Sequence, residues 1–174
     1  MTAPVEVDPD ARRTAVAWVR AVMDERDLRA AWPLTEADLR LVLVQHWVLS
    51  HHEDEDLVGG YEGWPALAAG LAADPPVSAL WDRFADERLK RWRQYWAGFS
   101  ARTWDLRDEP ELPRPGLEVV TFIEPGRKLN LKPGAPITFR RLAIRRQVGQ
   151  DAGWLVAGVD GTNLFRPGWP PGPV

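Results

Sequence analysis

The chain has no cysteine and only three histidines, two tyrosines and two methionines among its 174 residues, and each scarcity removes a branch of chemistry. Without a thiol there is no disulfide framework, thiolate nucleophile or thiolate metal site, so any reaction must run on oxygen and nitrogen groups. Long apolar runs are missing as well. The most apolar stretch, "LRLVLVQHWVL", is broken by Arg40, Gln45 and His46, which excludes it as a bilayer span. The opening "MTAPVEVDPDARR" lacks the basic start and apolar core of a secretory signal, which predicts a soluble cytoplasmic protein with no membrane partner. Nor is there a dominant sign of charge. Residues 1–100 carry 11 basic against 17 acidic side chains and residues 101–174 carry 11 against 8, for a net charge of −3. A nucleic-acid partner asks for a strongly basic face, and a pI near 5.7 argues against one.

What the chain does have is ten tryptophans in a composition that is 45% hydrophobic. Each buries roughly 150 to 250 Å² and asks for a partner at its indole N–H, so the load points to a thick core, a ligand pocket or a contact surface. The length suits one domain, read here as residues 1–166, with helices over about 10–99 and strands over about 101–160, followed by a Pro/Gly-rich tail over 167–174.

Asp8 as cap and Pro9 in the first turn open an amphipathic helix over about 10–25, with Ala15, Trp18, Val19, Val22 and Met23 at helical spacing. "DLRAAWP" reads as a short helix or turn. Thr35, with Asp38 three residues on, reads as the cap of a second long helix that runs to about Ser50 and is apolar on more than one side. "WPALAAGLAA" suggests a further short helix closed by "DPP". The strongest helical signal follows, with Val77, Leu80, Trp81, Phe84, Leu89, Trp92, Trp96 and Phe99 on one stripe and Arg83, Asp86, Glu87, Lys90, Arg91 and Arg93 on a solvated face.

From residue 101 the texture changes to alternating segments, "ARTWDLRD", "LEVVTFIE", "ITFRRLAIRRQV" and "GWLVAGVD", which read as four antiparallel strands. In the third, the inward positions Ile137 and Phe139 give way to Leu142 and Ile144, so a β-bulge is expected at Arg140 and Arg141. A long basic loop, "PGRKLNLKPGAP", precedes it. Helices first and strands afterwards predict an α+β fold, with N-terminal helices packed on one face of a bent, bulged antiparallel sheet.

"AVAWVRAVMDERDLRAAWPLTEADLR" and "ITFRRLAIRRQVGQDAGWLVAGVDG" resemble the opening helices and the closing hairpin of the nuclear transport factor 2-like superfamily, to which ketosteroid isomerases and polyketide cyclases belong. The resemblance covers residues 10–50 and 101–161. It implies a cone-shaped, cystatin-like α+β layout around a hydrophobic pocket, and a homodimer in which two sheets hide their outer faces. In the superfamily a β-hairpin stands between the early and the last long helix, where residues 51–76 show Gly- and Ala-rich text without alternation. No catalytic motif of those enzymes maps onto this chain residue by residue, and one scaffold serves many chemistries.

"WVLSHHEDEDLVGGYEGW" puts His51 and His52 beside four acidic residues. Adjacent side chains diverge by about 100° on a helix, which makes joint coordination of one ion awkward, so the stretch reads as an exposed joint between helices, with His51 and His52 as the only metal candidates and no cofactor expected. His46 lies on the apolar stripe of the deep helix, either as a satisfied core residue or as a pocket base oriented by Asp105, Glu118 or Glu124. Tyr95 and Tyr61 are the only phenols, either packing residues or carbonyl-polarising donors. Trp92, Trp96, Trp104, Trp154 and Phe122 are the candidates to line an aromatic cavity for a small apolar ligand. Arg140, Arg141, Arg145 and Arg146 form two pairs on one strand, facing either solvent or a second copy, where Glu118 or Glu124 would meet them. Two functions follow: a non-catalytic module that binds a small apolar ligand or a protein, or an isomerase or cyclase type of enzyme using a pocket histidine or carboxylate as general base.

Overall fold

Pro9, at a position where its missing N–H is no loss, starts helix α1 (Pro9–Val19), and Ala11, Ala15, Trp18 and Val19 are the residues it buries. The computed structural model describes residues 9–107, 111–124, 139–148, 153–160 and 166–171; the Asp8 cap and the basic loop 125–136 fall outside them. The helical stretch expected to reach residue 25 does so through one widened π-helical turn (Arg20–Glu25), closed by Arg26 in a left-handed conformation at φ 58. Asp27 then caps the short α2 (Leu28–Ala31), accepting from the Ala30 N–H at 3.0 Å.

Thr35 does not cap the next helix. Its hydroxyl donates to the Ala31 carbonyl at 2.8 Å and accepts from the Trp18 indole at 2.9 Å, while Glu36 stands at the cap position of α3 (Ala37–Ser50) without a side-chain bond to it. Leu39, Val42, Leu43, Val44, Trp47 and Val48 are buried on more than one side of α3, as their run in the sequence predicts. Residues 51–76, which lack strand alternation, are mainly helical: α4 (Glu55–Val58), capped by Asp54, a tight turn at Tyr61–Gly63, and α5 (Trp64–Ala72). The long amphipathic helix α6 (Trp81–Tyr95) starts later than its apolar stripe suggested, because Val77 lies outside it and is 76% exposed.

Among the described residues five strands make one antiparallel sheet: β1 (Asp105–Leu106), β2 (Glu111–Arg114), β3 (Leu117–Ile123), β4 (Phe139–Arg146) and β5 (Trp154–Val159). The order is β1-β3-β4-β5, and β2, which the Pro-rich text around it concealed, pairs another stretch of β3. The expected bulge at Arg140 and Arg141 is absent: β3 and β4 pair in unbroken register from Leu117↔Arg145 to Ile123↔Phe139. It sits on the other side of β4, where Ala143 meets Gly158 and Ile144 meets Val156, so the additional residue belongs to β5. Phe139 need not point inward, and at 45% exposure it does not.

The helices cover one face of this sheet, the α+β layout the order of elements predicts. Val120 and Phe122 of β3, Leu142 and Ile144 of β4 and Val156 of β5 join the helical core around Trp18, Trp32, Phe84 and Trp96. On the opposite parity Leu117, Val119, Thr121 and Ala143 are also buried, so the sheet is not half-exposed as the paired arginines suggested. The described part of the Pro/Gly-rich tail, to residue 171, is laid against the helices, with the Gly168 N–H donating to Gln45 at 3.2 Å and Trp169 tilted against Trp64 at 5.8 Å.

Candidate functional site

Helical spacing builds the site. His46, Leu49 and Ser50 share one face of α3, and Arg88, Arg91, Trp92 and Tyr95 share one face of α6, each set stepping by three and four residues. The end of β5 closes the floor with Val159 and Asp160, and together they line an open cleft of about 670 Å³. That volume falls within the range of about 300 to 1,000 Å³ typical of small-molecule sites. A second hollow of about 720 Å³, beside Arg114, Arg145 and Arg146, has neither an aromatic ring nor an acid or base other than arginine in its lining.

Three of the residues nominated from sequence therefore meet in one place: His46, Trp92 and Tyr95. His46 is half-buried on the cleft wall, not enclosed in the core. Tyr95 is 62% exposed, with the Arg140 guanidinium 5.5 Å from its ring centroid and donating to the Tyr95 carbonyl at 3.0 Å. Trp92 packs edge-on against Trp18 at 5.0 Å.

The other nominations lie elsewhere. Trp96 and Phe122 are core residues at 1% exposure, packed edge-on against Phe99 from two sides. Trp104 is tilted against Phe99 at 4.4 Å and donates to the Gly98 carbonyl, and Trp154 is half-buried on β5; neither lines the cleft. Asp105 is exposed on β1, Glu118 is buried on β3 and Glu124 is half-buried just beyond it, and none of these carboxylates joins His46 in the cleft lining.

The histidine pair diverges as its adjacency predicts, but His51 is not exposed. Its side chain, 20% accessible, lies against Trp47, places Nδ1 2.8 Å from the Trp47 carbonyl and turns Nε2 to Glu87 at 3.1 Å. Glu87 also accepts from the Trp47 indole at 2.8 Å and from Arg83 at 3.2 Å. Burial pushes this carboxyl up, but the Trp47, Arg83 and His51 contacts together hold it below its ordinary range. His52 stays at the surface beside Glu53. Among the described residues no group of three or more His, Asp or Glu side chains is placed to hold a metal ion.

Two cleft residues escaped the sequence reading. Asp160 has a left-handed backbone (φ 59), and its carboxylate accepts from the Trp96 indole at 2.5 Å and from the Arg141 N–H at 3.4 Å. Burial raises its pKa, against the pull of those donors and of the Arg140 and Arg141 charges. The other is Arg88, which lies four residues after Phe84 and four before Trp92, on the buried stripe and not on the solvated face. That spacing was the available signal. At 6% exposure its guanidinium donates to the Leu43 carbonyl at 3.0 Å and stands 5.8 Å from the Trp92 ring centroid.

One imidazole, two guanidinium groups, a carboxyl of raised pKa, an indole and a phenol thus face a common space. They can orient a small molecule with an apolar body and polar edges. No family model, no curated protein and no solved structure matches the chain. Fold and cleft together define an α+β domain with a mixed aromatic and cationic recess between its helices and the end of its sheet.

Proposed function

We propose that the protein is a small-molecule binding domain and that the cleft between α3, α6 and the end of β5 is its site. The observation that carries this reading is the convergence of His46, Trp92 and Tyr95, from two helices, on one recess of ligand size. The nuclear transport factor 2-like resemblance supports it through the opening helices and the closing bulged antiparallel strands, while residues 51–76 are mainly helical where that superfamily has a hairpin. A homodimer in the cytoplasm is part of the proposal. The apolar ring of Phe139, exposed on the side of β4 away from the helices, supports the self-association.

A second reading, an isomerase or cyclase type of enzyme, is favoured by one feature: His46 shares the cleft with Asp160, a carboxyl whose raised pKa suits proton transfer. In that reading His46 acts as the general base, with Asp160 on the floor of the same cleft.

Native mass spectrometry on the purified protein tests the leading reading. The expected result is a bound small molecule that survives purification and is lost from a Leu49→Trp variant, which fills the cleft. A ligand retained equally by Leu49→Trp places the site elsewhere and ends the proposal.

A further inference from the structure

A buried arginine almost always has an acceptor for each of its donors and a counter-charge nearby, because its planar fork cannot give up its proton to escape the cost of desolvation. Arg88 has neither in full. It is 94% buried by the complement of its 6% exposure, it donates to one backbone carbonyl, and its Nε finds no acceptor. Among the described residues no carboxylate forms an ion pair with it. The charge that does bear on it is Arg91, of the same sign, one helical turn further along the same wall; burial and that neighbour depress the guanidinium to about 10. The carboxyl in the cleft lining, Asp160, has its oxygens turned to the Trp96 indole and the Arg141 N–H.

We propose that Arg88, assisted by Arg91, anchors an anionic oxygen group, a carboxylate or a phosphate, carried by a small molecule whose apolar body lies against Trp92 and Tyr95. This rests on the reading of the cleft as a small-molecule site and adds the class of ligand. The geometry suits the chemistry on three counts. Guanidinium forks match the two oxygens of a carboxylate or phosphate in parallel hydrogen bonds. The Leu43 carbonyl holds one arm of the fork in place, so little side-chain freedom is lost on binding. Two like charges on one wall, uncomfortable without a counter-ion, become complementary to a single anion set between them. Asp160 is then the opposing polar edge, with its oxygens already engaged by the Trp96 indole and the Arg141 N–H.

Three probes of matched size separate the possibilities: 2-naphthoate, 2-naphthyl phosphate and the neutral 2-naphthylmethanol, followed by amide chemical-shift titration of the full chain. The expected result is that at least one anion shifts amides around residues 46, 88–95 and 160 and binds at least tenfold more tightly than the alcohol, with the preference weakening as salt is added. The stronger of the two anions tells carboxylate from phosphate. In Arg88→Met, which keeps the length of the side chain and removes the charge, the tenfold preference for the anion over the alcohol is gone. If Arg88→Met does not fold, Arg91→Glu at the exposed neighbour serves instead and is expected to reduce the preference for the anion over the alcohol at least fivefold. Equal binding of anions and alcohol at the cleft overturns the anion anchor and leaves the small-molecule site standing. Shifts elsewhere, or none with any probe, overturn both.

Discussion

Glu36 and Glu87 are the same side chain pushed in opposite directions by their surroundings. Glu36 is 8% exposed, and burial raises its pKa above 4.5 although Arg145 stands 2.7 Å from Oε1. Glu87 is more open, and its contacts with Trp47, Arg83 and His51 outweigh burial and hold it below 4.5. Linkage makes the signs opposite. For Glu87, whose folded pKa is depressed, the stabilising contribution is complete above 4.5 and is lost as pH falls through the folded value. For Glu36, whose folded pKa is raised, the native state holds the proton longer than the unfolded chain, so stability declines as pH rises from 4.5 through the folded value. Glu87→Gln is therefore expected to flatten the stability profile on the acid side of 4.5 and Glu36→Gln to flatten it just above, read as urea midpoints at closely spaced pH values. Both variants running parallel to the unchanged protein would show that neither carboxyl titrates as its contacts require. Arg145 belongs to this same pair, which is why an arginine that its sequence context offered to a partner subunit is already used inside the chain.

At the scale of elements, the entry to α3 joins the helical layer to the sheet. Thr35 forms an isolated parallel bridge with Val156 of β5, the Glu36 N–H donates to the Val156 carbonyl at 2.8 Å, and the Thr35 hydroxyl links the Trp18 indole to the Ala31 carbonyl. Thr35→Val keeps the shape but leaves the buried indole N–H of Trp18 without its acceptor. The expected loss is about 1 to 3 kcal/mol in chemical denaturation, with Thr35→Ser near the unchanged protein; equal losses in the two variants would mean that the methyl group, not the hydroxyl, holds the junction. The sequence suggested a cap at Thr35 because a threonine before "EADLR" has the right local pattern, and periodicity has no access to a bond with Trp18, 17 residues earlier. The same limit explains the misplaced bulge. Parity along β4 is a property of one strand, whereas the bulge is a mismatch between two, and it lies in β5. Long helices and strands were legible because their repeats are local. The cleft was legible only in part: His46, Trp92 and Tyr95 stand out by type, while Arg88 on a helical stripe and Asp160 past the end of a strand gain meaning only once α3, α6 and β5 meet.

For the whole molecule, the question is which surface remains for a second copy. Among the described strands β5 forms one edge of the sheet, opposite β1 and β2, and such edges invite pairing with another chain. Here the Thr35–Glu36 segment already bonds to β5 at Val156, which blocks edge-to-edge growth at its centre. On the face away from the helices Leu117, Val119, Thr121 and Ala143 are already buried, so what that face offers is the start of β4. Its β4 positions, by alternation from Ala143, are Phe139, Arg141 and Arg145, and Phe139 is exposed with the Arg141 guanidinium 5.4 Å from its ring centroid. Arg145 is engaged with Glu36, so changing it tests folding as much as association. Phe139→Glu separates the two, because it alters an exposed ring that no buried cluster contains. For the proposed homodimer, sedimentation at rising concentration is expected to reach twice 19.6 kDa, and Phe139→Glu to hold the chain at 19.6 kDa with its melting temperature unchanged. The dimer should also survive high salt, since an aromatic contact is screened less than paired charges are. A mass of 19.6 kDa at every concentration would remove the dimer and leave Phe139 as an isolated surface ring, which is ordinary on a monomer.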